Sequence, residues 1–235
     1  MPYPKANSIL SQLPDEEFDH LAPHMQLVSL NKGDVIFEPG QSIRHYYFPV
    51  SCVVELVIDL EDGYAGTTTF INMNSVYPLH LIGEAESHNR ATVSCPGLCY
   101  RIPANVIHDE LQKSRGFLWI LLKESIRLFE QTCLESVCMR HHTLEQVTAK
   151  LILLSTDNTR SSTVRATHQE MANSLGVRRE GVTMALQKLK AEHCITTSRG
   201  GVQVLDRAGL EGRACGCYKA LVDLRKQYTC GEPQQ

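Results

Sequence analysis

Hydrophobic residues change their spacing several times along this chain, and each spacing predicts a different kind of element. The opening "NSILSQLPDEEFDHLAPHM" reads as short helices, with Pro14 at a first helical position and three acids in the turn that follows. From Leu27 to Pro103 the pattern becomes short β-rich runs broken by Lys-Gly, Pro-Gly and Asp-Gly turns, which predicts a compact β-barrel or sandwich. Helical spacing resumes in "IPANVIHDELQKS" and continues into "WILLKESIRLFEQTCLESVCMR", a long helix. There Trp119, Leu122, Ile126, Phe129 and Cys133 recur at alternating three- and four-residue steps, a seam that extends less cleanly to Ser136 and Arg140. A second stripe, Leu118, Leu121, Ser125 and Leu128, is expected to lie against the β module. Two apolar faces need two partners, so the first seam predicts a dimer; a single buried core helix is the alternative.

The rest of the chain carries sharper local signals. Thr143 and Gln146 form a capping-box pattern that starts a helix running to about Ser155, and the polar "TDNTRSS" is expected to connect it onward. Thr167 and Glu170 repeat the capping pattern at a short helix. Ala172 is small where two helices would cross closely, and Gly176 suits the left-handed turn between them. Met171, Leu175, Val177, Val182 and Ala185 occupy the positions that pack a helix-turn-helix together. An αα-hairpin is the alternative. Beyond it, "ITTS-RGG-VQVL" reads as a β-hairpin, or wing.

Charge sharpens this picture. Residues 1–139 hold 9 basic and 17 acidic side chains, net −8, whereas residues 140–235 hold 14 and 9, net +5. An acidic module joined to a basic one suits a nucleic-acid binder. The second helix of the helix-turn-helix opens on Arg178-Arg179 rather than on the acids that a helix N-terminus prefers, which predicts an anionic partner. In the major groove, arginine can bond guanine O6 and N7 and glutamate can accept from cytosine N4. Thr167, His168, Arg178, Arg179, Glu180, Thr183, Lys188 and Arg199 are the candidate DNA-contacting residues, with Arg178 read as a phosphate contact.

The chain resembles the Crp/Fnr superfamily of transcription regulators over nearly its whole length. The resemblance rests on "KGDVIFEPG", "YYFP", the long helix, "QEMANSLGVRREGV" and "GGVQVLDRAGL", with a Cys215-Gly216-Cys217-Tyr218 tail typical of one subgroup. It implies an α+β fold: an N-terminal jelly-roll-like β-roll of the cyclic-nucleotide-binding type (residues 1–116), a dimerisation helix (117–140) and a C-terminal winged helix-turn-helix (141–235). It further implies a bacterial, cytoplasmic homodimer that binds a palindromic operator in double-stranded DNA and works with RNA polymerase. By position, Arg179 and Glu180 match the family's base-reading pair. Met184 stands where a further arginine is frequent, and Gly181 where Thr or Ser is usual.

Cyclic-nucleotide binders of this family carry Gly-Glu and then Arg-Ser/Thr-Ala. Gly83-Glu84 and Arg90-Ala91-Thr92 approximate that set, but their spacing is short and "NMNSVYP" replaces a glycine-rich stretch. The reading is therefore of a degenerate pocket with no conventional cAMP effector and no resident cofactor. A cyclic-nucleotide-responsive regulator, or a ligand-gated interaction protein, using Glu84 and Arg90 is the alternative. Haem through His80, His88 or an exposed Pro2 is not favoured, and an iron–sulfur cluster lacks N-terminal cysteines, the first being Cys52. Nine cysteines without regular spacing suit a reducing compartment. Cys215 and Cys217 are read as helix packing and His141-His142 as a poor chelate, so no metal is assigned. The start lacks the pattern of a secretory signal, and no apolar run approaches spanning length. No P-loop, catalytic triad or paired-acid motif marks an enzyme.

Overall fold

The computed structural model describes residues 3–61, 65–79, 86–87 and 89–229. These fall into two units, residues 1–59 with 68–128, and residues 60–67 with 129–235.

The first unit begins on α1 (Ser8–Ser11) and α2 (Asp15–Leu21). The buried Asn7 caps α1, its side-chain oxygen accepting from the amides of Ile9 and Leu10. Its amide group donates to the carbonyls of Pro49 and Ser75, each at 2.9 Å, so one side chain pins the N-terminal helices onto the β-roll. Pro14 precedes α2, which starts one place later than the sequence pattern suggests, at Asp15.

The roll has two antiparallel layers. One contains β1 (Gln26–Leu30), β7 (Gly97–Pro103) and β3 (His45–Pro49), in the order β1-β7-β3. The other contains β2 (Val35–Phe37), β6 (Arg90–Cys95), β4 (Val53–Asp59) and β5 (Ala65–Ile71), in the order β2-β6-β4-β5. Alternation along β3 explains how the layers meet. Tyr46 and Phe48 point into a core with the N-terminal helices, while Tyr47 joins Phe37, Val54, Leu56, Ile71, Ala91 and Val93 between the sheets. This is the expected jelly-roll-like architecture.

Helix α3 (Ala104–Lys113) leads into α4 (Arg115–His141), which contributes residues to both units. Its inward stripe is Phe117, Leu121, Glu124 and Leu128, a shift from the expected Leu118-Leu121-Ser125-Leu128. Phe117 is fully buried because the hydroxyl of Ser114 accepts from its amide and fixes the first turn. The Ser125 hydroxyl instead donates back to the Leu121 carbonyl. On the outer face, Trp119, Leu122, Ile126 and Phe129 are 63%, 37%, 49% and 69% exposed, and Cys133 is exposed too.

The second unit holds α5 (Leu144–Thr159), β8 (Thr163–Val164), α6 (His168–Leu175), α7 (Arg179–Ala191), β9 (Ile195–Ser198), β10 (Gly201–Val204), α8 (Arg207–Arg213) and α9 (Cys217–Thr229). The Thr143–Gln146 capping box forms as expected, but α5 runs on to Thr159 rather than ending near Ser155. The polar residues there serve the helix: the hydroxyls of Ser155, Thr156 and Thr159 donate back to preceding carbonyls. Asp157 accepts from Arg207 at 2.7 Å and Tyr218 at 2.9 Å, so tertiary contacts override the turn-rich composition. Arg160 then ends the helix in the left-handed conformation.

Candidate nucleic-acid interface

The helix-turn-helix is set by two local devices. The Thr167 hydroxyl accepts from the Glu170 amide at 3.2 Å, and the Glu170 carboxylate accepts from the Thr167 amide at 2.7 Å, which starts α6. Gly176 ends it at φ 62°, where its amide donates to the Ala172 and Asn173 carbonyls. A side chain would be strained there, so glycine sets the angle at which α7 leaves. Met171, Ala172, Val182, Ala185, Leu186 and Leu189 are buried, and most form one core with α5 and the wing.

That packing leaves Arg178, Arg179, Glu180, Met184, Gln187 and Lys188 exposed. The side chains of Arg178, Arg179 and Glu180 have no ion-pair or hydrogen-bond partner among the described residues. Lys188 differs, lying 3.4 Å from Glu145 on α5. Thr183 is committed inward. Its hydroxyl donates to the Arg179 carbonyl at 3.0 Å, so its oxygen accepts from His168 Nδ1 at 2.9 Å. A hydroxyl has one proton, and this arrangement places a proton on Nδ1 and turns Nε2 away from Thr183. Gly181 sits where an added Cβ would come within 2.7 Å of Leu144, so α5 packs close against the first turn of α7.

Beside this turn lies a cleft of about 390 Å³ lined by Ala166, Thr167, His168, Gln169, Arg179, Ser198, Gly200 and Gly201. It joins the N-termini of α6 and α7 to the wing, where strand order is β8-β10-β9 and Arg199-Gly200 make the hairpin turn. Of the residues expected from the sequence, Thr167, His168 and Arg179 line this cleft, and Arg199 lies beside it in the hairpin turn. Sequence reasoning missed Gln169 and Ser198, although the exposed capping turn "THQE" signals the former. Glu180 and Lys188 lie on α7 outside the cleft lining.

Residues 145–213 match the family model of the Crp-like helix-turn-helix domain. Among solved structures, a Eubacterium rectale protein of the Crp/Fnr family matches at TM-score 0.71 and 17% identity, covering 89% of this chain and 98% of that one. This is a Crp-like helix-turn-helix on a Crp/Fnr fold. FixK2 from Bradyrhizobium japonicum matches at TM-score 0.69 and 14% identity over 82% of this chain and 98% of its own. A Crp/Fnr-family transcriptional regulator from Thermus thermophilus, TTHA1359, matches at 0.66 and 23% identity, over 80% and 98%. No curated protein matches the sequence. The matched Crp-like helix-turn-helix domain contains the exposed turn of α7.

The effector-type residues of the roll look different. Gly83, Glu84, His80, His88 and Pro2 lie outside the described residues. Arg90 and Thr92 alternate with the core residues Ala91 and Val93, so they stand on the opposite face of β6. The Arg90 guanidinium donates to Asp59 at 2.6 Å. Among the described residues no helix is long and apolar enough to cross a membrane.

Proposed function

We propose that this Crp/Fnr-type chain is a homodimeric, cytoplasmic transcription regulator that reads a palindromic operator with α7 and has no catalytic role. The observation carrying this reading is the unpartnered Arg178-Arg179-Glu180 turn beside the wing cleft. Arg179 and Glu180 read base edges, Arg178 and the amides around Thr167 hold phosphate, and Arg199 follows the backbone from the wing. Met184, 60% exposed on the same helix, offers an apolar contact to a thymine methyl in place of an arginine contact. Such a regulator acts with RNA polymerase.

Dimerisation rests on the outer face of α4. Trp119, Ile126 and Phe129 are each about half exposed or more, a cost that a second copy of the helix removes. A dimer presents two α7 helices, and a palindrome mirrors that twofold symmetry.

The Arg90–Asp59 pair supports a regulator that binds DNA without a cyclic nucleotide. A phosphate at Arg90 would have to displace a carboxylate already in place. Selection of a binding site from random duplexes tests the whole reading. The expected product is an inverted repeat bound by two chains; a pool that stays unselected would overturn it.

A further inference from the structure

Four side chains that the DNA-facing surface does not use meet where the helix-turn-helix domain begins and ends. Cys138 lies in the last turn of α4. The His142 amide donates to the Cys138 carbonyl at 3.1 Å, so helical geometry persists to His142. Residues four apart on a helix share a face, which puts thiol and imidazole side by side. Cys215 and Cys217 flank Gly216, Cys215 lying between α8 and α9 and Cys217 opening α9. Their sulfurs reach the same point: Cys215 Sγ is 3.4 Å from Cys138 Sγ, and Cys217 Sγ is 3.8 Å from His142 Nδ1.

All four donor atoms lie within 4.8 Å of one another. A tetrahedral zinc ion with Zn–S of about 2.3 Å and Zn–N of about 2.0 Å separates its ligand atoms by roughly 3.5–3.8 Å. The cluster is therefore already close to the size of a coordination shell. We propose that Cys138, His142, Cys215 and Cys217 bind one zinc(II) ion. Three thiolates and an imidazole form a closed structural set, too soft for magnesium or calcium and without an open position for substrate. Cys138 and Cys215 are 0% and 3% exposed, and Val147 packs with them, so water is held off the sulfurs. Burial disfavours a thiolate at Cys138, and the buried Lys150 ammonium favours one. That cation also offsets the single negative charge of a zinc ion with three thiolates. Loading releases the thiol protons to solvent and changes no oxidation state.

The position of the ligands states the role. Cys138 and His142 precede the matched domain, residues 145–213, and Cys215 and Cys217 follow it. One ion thus fastens the end of α4 to the start of α9 and closes a loop whose ends, Cys138 and Cys215, are 77 residues apart. Fixing both ends restricts the unfolded chain more than the folded one.

The test uses the full chain, purified anaerobically with reductant, supplied with zinc and then dialysed against metal-free buffer. Elemental analysis is expected to find one zinc per chain, and cobalt(II) in its place is expected to give the charge-transfer and intense d–d bands of a tetrahedral thiolate site. Cys217→Ser and His142→Ala, at partly exposed positions, should each weaken zinc binding beyond the about 10–100-fold typical of changes outside the ligand set. Cys95→Ser, at a half-buried cysteine on β6 outside both the cluster and the seam, should bind as the parent does. Zinc should raise the melting temperature of the parent and of Cys95→Ser only. Should either ligand variant fail to fold, the cobalt spectrum of the parent chain still decides. Substoichiometric zinc with free thiols, a Cys138–Cys215 disulfide in the reduced preparation, or zinc retention in both ligand variants would each overturn the site. None of these readings depends on DNA binding.

Discussion

Arg90 and Arg127 in the first unit and Arg178, Arg179 and Arg199 in the second are held in opposite ways, while Arg207 and Arg213 of the second unit pair with acids. In the first unit, Arg90 grips Asp59 on the surface, and Arg127 donates two bonds of 2.6 Å to the buried carboxylate of Glu124. The Ser75 hydroxyl donates to the same carboxylate. In the second unit, Arg178, Arg179 and Arg199 hold no acid among the described residues. A paired guanidinium is part of the scaffold, and an anionic ligand must compete for it; an unpaired one at a helix N-terminus is open to a polyanion. Under the proposed reading, an anionic ligand meets open guanidinium groups on α7 and an occupied one on the described face of the roll.

The comparison can be broken in order of effect. Ile126→Asp, which would place a charge from each chain in the apolar seam, should weaken a dimer by ~4 kcal/mol or more, about a thousandfold in dissociation constant. Sedimentation should then show monomers; a persistent dimer would move the interface elsewhere. Glu124→Leu strips the carboxylate from a buried arginine and should cost about 3 kcal/mol in denaturant unfolding. Replacing Arg127 by Leu as well should recover much of that loss, whereas an additive second loss would show that the pair is not the relevant unit. Arg179→Ala should cost about 1–3 kcal/mol on the selected operator and flatten discrimination at one base pair per half-site. Arg178→Ala should weaken all duplexes alike and lower the salt slope.

A smaller effect is expected at Tyr218, whose hydroxyl donates to Asp157 at 2.9 Å and accepts from Arg207 at 2.6 Å. Tyr218→Phe should cost about 1 kcal/mol of stability without changing operator discrimination. Burial, reinforced by Asp157, pushes this phenol up to about 12. Its folded value exceeds the unfolded one of about 10, so its contribution is complete below that pH and is lost as pH rises towards 12. Difference absorbance between parent and variant should show this one phenol ionising late.

The smallest effect is at Arg90. Arg90→Ala should leave operator affinity within about twofold with or without added cAMP, cGMP or cyclic dinucleotides, well under the 1.4 kcal/mol of a tenfold change. A saturable tenfold rise that the substitution removes would restore a nucleotide sensor.

What the sequence made legible was local. The capping boxes and the Gly176 turn are defined by neighbours within a few positions, and the structure places them as the pattern suggests; α7 begins one place later than expected, at Arg179, with Arg178 extended at its N-cap. Features set by distant partners were not legible. The end of α5 depends on Arg207 and Tyr218, which reach Asp157 from 50 and 61 residues away. Arg90 meets Asp59 across 31 residues, so its spacing to Thr92 says nothing of its partner. His142 was read only beside His141, from which it diverges, whereas the donor atom it lies near belongs to Cys138, one helical turn away.

The central claim is that the unpaired turn of α7 reads a palindrome as part of a dimer. It is tested most directly by titrating the purified chain into the selected inverted repeat and into a scrambled duplex across a salt series. The account predicts two chains per repeat, a steep loss of affinity with salt on both duplexes, and a preference for the repeat that Arg179→Ala largely abolishes. Equal affinity for the two duplexes, or a preference that survives Arg179→Ala intact, would contradict it.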